Sequence, residues 1–324
     1  MSSHDPTTVV LRGVIRSNTI WPDGSSDADT LRLFVDPTTP WAWIRQAGRT
    51  RVLRGLERAV VHGTVVRPVL SGANAVTVRL EGVDAPELHY RAPSPARHDL
   101  RDDEPHTSPT YRQPFGEYAS AALRTFFRTF GESVPVEVTS QVESISDAFD
   151  TYGRFIGNVH VLAQPQPSSV NRWLIKQGLA FPAFYTSTPE EQIRELTRLA
   201  KQACQRELGI WSYYSIDIRP ACRTRLYRGK HVALRAETAS VYLPKLFRRR
   251  VAWYESNIAT GNRVSFYKYL EAREDSFVRR DEFLSKRAHP ADKHQLAEAL
   301  CGTELVLNPW DFVFDERPAQ LRFR

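Results

Sequence analysis

Seven charged residues of this chain are of the types that phosphodiester hydrolysis requires. Asp27 and Asp29 stand in Asp-Ala-Asp-Thr at 27–30, ahead of an alternating apolar segment. Arg79 lies inside Val-Thr-Val-Arg-Leu-Glu-Gly, and Asp84 and Glu87 follow in Val-Asp-Ala-Pro-Glu. Asp150 and Arg154 bracket Asp-Thr-Tyr-Gly-Arg. The reaction needs a cation to neutralise the non-bridging oxygens and a carboxylate to orient or deprotonate water. It also needs donors for the extra negative charge of the five-coordinate state. Arginine suits the last task because its guanidinium is planar, bidentate and always charged. Aspartate oxygens suit a hard ion such as Ca²⁺. Taken singly, each residue has an ordinary role, as a turn former or a solvated strand position. Only the set points to chemistry. The sequence contains no GxxxxGK[ST], HExxH, GxSxG or GxGxxG motif.

These residues need elements to position them. Residues 9–16 and 30–35 alternate apolar and polar positions and read as strands. The spacing predicts two further strands at 59–70 and 76–82, joined as a hairpin through Ser71-Gly72-Ala73-Asn74. Residues 36–58 read as irregular, and the proline- and charge-rich 88–112 as a surface insertion. Helical spacing runs from Phe115 to about Phe130, followed by strands at 134–139 and 154–162. A short helix at 170–178 ends on Gly178. A longer helix starts after Ser187-Thr188-Pro189-Glu190-Glu191 and ends near Gly209. Short strands with few helices suit an α+β fold built on a small barrel.

The chain has 324 residues, 41% hydrophobic and 25% charged, which fits a globular protein and not a disordered one. No apolar run is long enough to span a bilayer, and the first residues have no apolar leader, so a cytoplasmic location without membrane contact is expected. Cys204, Cys222 and Cys301 are far apart and form neither a disulfide framework nor a zinc-binding pair.

The ordered set DADT (27–30), VRLEGVDAPE (78–87), QPFGEYAS (113–120), DTYGR (150–154), VNRWLIKQGLA (170–180) and GIWS (209–212) resembles the staphylococcal nuclease (thermonuclease) domain family over about 9–214. The resemblance implies a five-stranded OB-fold β-barrel with about three helices. It implies Ca²⁺-dependent cleavage of DNA and/or RNA with low sequence specificity. Carried over by position, Arg79 and Arg154 are phosphate-binding arginines and Glu87 is the carboxylate that handles water. Asp84 and Asp29 are metal ligands, and Ala85 ligates through its carbonyl. About 45 residues separate Thr30 from Val76, so the segment 61–66 competes with Asp29 for the metal turn. Ala28 stands where the family has Gly. The insertion's His89, His98 and His106 admit an added metal site or a surface loop. Phe184 and Tyr185 follow the Gly-Leu-Ala motif, where rings either stack on bases or pack internally. The other reading is a catalytically silent nuclease-like OB module that binds nucleic acid or a protein partner.

The charge is unevenly spread. Residues 1–214 balance 23 basic against 23 acidic side chains, while 215–324 carry 21 against 14, the whole net charge of +7. A second, basic module facing a polyanion is the expectation for 215–324, of mixed or mainly helical structure. A helix should begin at Pro244, with Lys245, Arg248, Arg249 and Arg250 able to grip phosphates or to form a solvated face. Residues 264–274 and 290–300 also read as helical, and the tail as extended.

Overall fold

Alternation of apolar and polar residues makes Thr7–Arg16 (β1) a strand with an inward face, on which Val9, Leu11 and Ile15 are fully buried while Arg12 and Arg16 are exposed. The computed structural model describes residues 7–92, 110–163, 168–217, 227–228, 240–261, 263–273, 275–285, 293–315 and 319–323. His98 and His106 lie outside them. The same alternation builds Thr30–Phe34 (β2), Ala75–Leu80 (β3), Ser133–Val142 (β4) and Phe155–Val161 (β5). Hydrogen bonding runs β4-β5-β3-β2-β1, and β1 closes the ring on β4 over its whole length, from Thr7↔Val142 to Arg16↔Ser133. Within this barrel β3 and β5 are the parallel pair. The result is a closed five-stranded mixed barrel with helices, the OB-fold architecture expected.

Two strand assignments differ from expectation. Residues 59–70 do not pair with β3. They fold on themselves as Val60–His62 against Val66–Pro68, and β3 pairs instead with β2, setting Thr30 opposite Arg79. Gly63-Thr64 interrupts the apolar run, and Pro68 has no N–H for a central ladder. Residues 36–58 are also not irregular: Ala42–Gln46 and Arg49–Val52 form a hairpin on β1. Its two-residue turn places Ala47 at φ 47° and Gly48 at φ 73°, a geometry that Asn-Gly would have announced and Ala-Gly conceals.

The helices follow their periodicity. Gly116–Arg128 (α1) buries Ala119, Leu123 and Phe127 at four-residue spacing. Val170–Lys176 (α2) is capped by Ser169, whose hydroxyl accepts from Arg172 N–H. Glu190–Gln205 (α3) ends before Gly209. The Gly178 and Gly209 backbones cross in contact: both have positive φ, and Ile210 N–H donates to Gly178 C=O at 2.8 Å. A Cβ on either would strike the opposing carbonyl, so the two glycine motifs form one packing device.

The C-terminal part is interleaved with the barrel part. Phe184–Tyr185, Phe312–Phe314, Ser276–Arg279 and His294–Gln295 form one sheet in that order. The tail strand Gln320–Arg322 pairs with Val60–His62. A single apolar cluster joins barrel residues such as Val78 and Phe155 to Phe247, Phe277 and Phe312. Pro244–Thr260 (α4) begins at the expected proline, and Phe266–Glu271 is helical. The described part of 290–300 is not an α-helix but two short strand pieces around a 3₁₀ turn at Leu296–Ala299. Its buried residues at 296, 297, 299 and 300 imitate helical spacing.

Phe312→Ala should therefore destabilise the whole chain. The ring is 1% exposed, and a truncation of this kind costs about 3–5 kcal/mol. Urea unfolding should show a single transition shifted to lower denaturant, with barrel and C-terminal probes coinciding. Separate transitions would divide the chain near residue 214.

Candidate active site

The β2–β3 register delivers the first residues of the site. Val78 and Leu80 point into the barrel, so Arg79 points out of it, beside the turn that precedes Thr30. The Arg79 guanidinium ion-pairs with Asp29 and, at 2.7 Å, with Asp84, and it donates to the Asp29 carbonyl at 3.3 Å. Asp29 also accepts from Ala85 N–H at 2.8 Å and from the Thr30 hydroxyl at 3.2 Å. Asp29 thus ties the turn at 27–30 to the segment 83–87, while the 61–66 segment pairs with the tail strand. Ala28 is fully buried and does not adopt positive φ, so this turn has no need of glycine. Asp27 pairs with His89 at 2.8 Å.

Arg248 of α4 reaches the same carboxylates from the C-terminal part. It donates to both Asp84 oxygens, at 3.1 and 3.0 Å, and to Glu87. A buried glutamine sets this alignment. Gln113 is fully buried, accepts from Glu87 N–H at 3.1 Å and donates its own N–H to Glu87 C=O at 2.7 Å. Its side-chain amide then donates to Tyr242 C=O at 2.8 Å, just before α4 begins. Gln113 opens the Gln-Pro-Phe-Gly segment at 113–116, but no spacing rule marks it as a bridge.

The electrostatics follow from burial and pairing. Burial pushes the Glu87 carboxyl up to about 7, with Asp27, Asp84 and Asp29 adding to the rise and Arg248 opposing it. Burial likewise raises Asp27, against the bond from His89. Burial would raise Asp84 too, but the guanidinium groups of Arg248 and Arg79 outweigh it and hold its carboxyl below the ordinary range. Burial and the neighbouring Asp84 raise the Tyr185 phenol, whose field includes Arg248, Arg79 and Arg154 as well.

The remaining sequence candidates are placed differently. Arg154 bonds to Asp150 of its own turn at 2.6 Å and lies over the Tyr152 ring. Phe184 is fully buried and Tyr185 half-buried, both paired to the Phe312–Phe314 strand. Arg249 is held by Asp275, which also lies 3.6 Å from Lys245. Burial lowers Lys245 to about 8, and its ammonium sits over the Phe314 ring. Arg250 is 4% exposed and packs against Trp253 and Phe266. Of these four basic residues, Arg248 is the one that bonds to Asp84 and Glu87.

The buried network joins two arginines, Arg79 and Arg248, to three carboxylates, Asp29, Asp84 and Glu87. Residues 77–213 match the family model described as staphylococcal nuclease homologue. Residues 77–213 are a staphylococcal nuclease homologue domain. β1, β2 and the Asp29 turn precede the matched stretch, and α4 with Arg248 follows it. No curated protein matches the chain.

Members of this domain family are typically Ca²⁺-dependent. By donor type Asp29 and Asp84 suit that ion, since both offer carboxylate oxygens and both converge on Arg79. Among the described residues no group of three or more His, Cys, Asp or Glu side chains forms a metal cage. Both Asp84 oxygens already accept from Arg248. A cation on Asp84 and the guanidinium of Arg248 therefore compete for the same lone pairs.

Gln113→Leu should leave the Glu87 N–H and the Tyr242 carbonyl without their partner. A loss of about 1–3 kcal/mol is expected, measured as a lower urea midpoint. Gln113→Glu should recover little, because it supplies acceptors where Tyr242 needs a donor.

Proposed function

We propose that this protein hydrolyses phosphodiester bonds in DNA or RNA with low sequence preference. The reading is carried by one observation: Asp29, Arg79, Asp84 and Glu87 share a single hydrogen-bonded network beside a nuclease-homologue barrel. Asp29 and Asp84 would hold Ca²⁺, which supplies charge neutralisation at the phosphate. Glu87 accepts the proton of the attacking water as its oxygen bonds to phosphorus. The ester bond to the leaving oxygen breaks, and that oxygen takes up a proton. Arg79 donates to the non-bridging oxygens, which carry more charge in the five-coordinate state. Arg154 does the same on leaving Asp150. A silent binding module draws its support from the bonds of Arg248 to Asp84 and Glu87, and digestion separates the two readings.

Labelled single-stranded DNA and RNA should be cut in Ca²⁺ and left whole in excess chelator. No cutting of either would leave the silent module, and full activity in chelator would remove the metal. Glu87→Gln should lower turnover on the order of 10²-fold or more while nucleic-acid binding persists.

Asp29→Ala should weaken Ca²⁺ binding in calorimetric titration. Asp23→Ala should not, because Asp23 lies on the surface paired with Arg124 of α1. Equal Ca²⁺ affinity in wild type and the Asp29 variant would move the ligand elsewhere.

A further inference from the structure

The geometry points to Arg248 as a further phosphate-binding arginine of this site, supplied by the C-terminal part to the nucleic-acid substrate. The inference rests on the hydrolase reading and adds to it a residue outside the family-matched stretch.

The first support is the anchoring of α4. Leu246, Phe247 and Val251 are buried, Arg249 is fixed by Asp275, and Gln113 joins Tyr242 to Glu87. The helix is part of the core and not a detachable cover. The Arg248 side chain, a guanidinium on a long aliphatic stem, keeps 24% of its surface exposed.

The second support is the donor arithmetic. A guanidinium has five N–H groups in a planar fork. Three of them serve Asp84 and Glu87. The fork is thus aligned at the carboxylates that the proposed chemistry uses, with donors left for a phosphate oxygen. A bound metal ion on Asp84 would free further donors of Arg248 for the substrate.

The third support is the contrast with its neighbours. Arg154 donates to Asp150, while Arg79 and Arg248 meet at the same Asp84 oxygen. The cation facing Glu87 is therefore Arg248. Arg249 and Arg250 are engaged with Asp275 and with aromatic rings, so the triple-arginine segment contributes one member to the site.

The test measures binding of a labelled single-stranded oligonucleotide in chelator, over a salt series, with wild type, Arg248→Ala, Arg248→Gln and Arg248→Ala/Glu87→Gln. Arg248→Ala should weaken binding about tenfold and lower the slope of log K against log salt by about 0.7, one phosphate contact on a single strand. Arg248→Gln keeps an amide donor for Asp84 and should show the same slope change, which decides the matter if the alanine variant melts below the assay temperature. The double variant should stay weak. Recovery there would mean that Arg248 acts only by masking the charge of Glu87. Unchanged or tighter binding by the single variants would overturn the inference and make Arg248 a competitor of the substrate. A wild type that does not bind would overturn it too. Digestion with Ca²⁺ is run in parallel. A wild type that binds through Arg248 but cuts nothing would sink the hydrolase reading alone. A wild type that cuts with binding indifferent to Arg248 would sink this inference alone.

Discussion

Everything around the site depends on one shared carboxylate. Asp84 is 2% exposed and accepts from Arg79 on one side and Arg248 on the other. A charge so buried persists only when it is paired and hydrogen-bonded. The two guanidinium groups in turn repel each other, and the carboxylates between and beside them hold that repulsion in check. Removing one member of such a group leaves an uncompensated buried charge, which costs about 3–5 kcal/mol in comparable cases. The local backbone is built to prevent this. Ala85 N–H fixes Asp29, the β2–β3 register fixes Arg79, and Gln113 fixes Glu87 relative to the start of α4.

The C-terminal part brings its charge to this cluster through helix geometry. Successive residues on an α-helix are rotated by about 100°, so three consecutive arginines cannot share a target. Arg248 turns to Asp84, Arg249 to Asp275 and Arg250 to Trp253 and Phe266. Lys245 falls on the side of Arg249, one turn away, and approaches Asp275 as well. The basic side chains of this stretch are largely internal, paired with carboxylates or packed over aromatic rings. The Phe312–Phe314 strand completes the attachment by pairing with Phe184–Tyr185, so Tyr185 stands between the tail and the field of the site.

The barrel was legible because its strands alternate and its turns use ordinary residues. The ordered motifs carried the identity of Asp29, Arg79, Asp84 and Glu87 as candidates, and the fold brings those four together. Motif spacing could not supply the long-range partners. Gln113 and Arg248 act across 129 and 164 residues of sequence, and nothing local distinguishes a bridging glutamine from a surface one. Pattern alone misassigns pairing where two short apolar runs stand side by side. Residues 59–70 and 76–82 satisfy the hairpin pattern, yet β2 is the better partner for β3 because it buries Leu31 and Leu33 beside Val76 and Val78. Phe184 illustrates the remaining ambiguity. A ring after Gly-Leu-Ala serves stacking or packing equally well in sequence, and full burial beside the tail strand places it in the core.

The charge balance of the cluster explains why a cation would still be drawn to it with Arg248 in place. Asp27, Asp29, Asp84 and Glu87 face Arg79 and Arg248, with His89 on Asp27 as the further titratable partner. Four carboxylates exceed two guanidinium groups by two charges. Burial raises both the Glu87 and the Asp27 carboxyls, which is the direction that lessens that excess. A divalent ion held by Asp29 and Asp84 would lessen it in another way. The two solutions differ in what they leave for the substrate. With Arg248 on Asp84, three of its donors are engaged; an ion at Asp84 would free more of them for a phosphate, an acceptor that suits a planar guanidinium. Metal binding and phosphate binding would therefore be linked through a single side chain, and the linkage requires no movement of the helix that carries it.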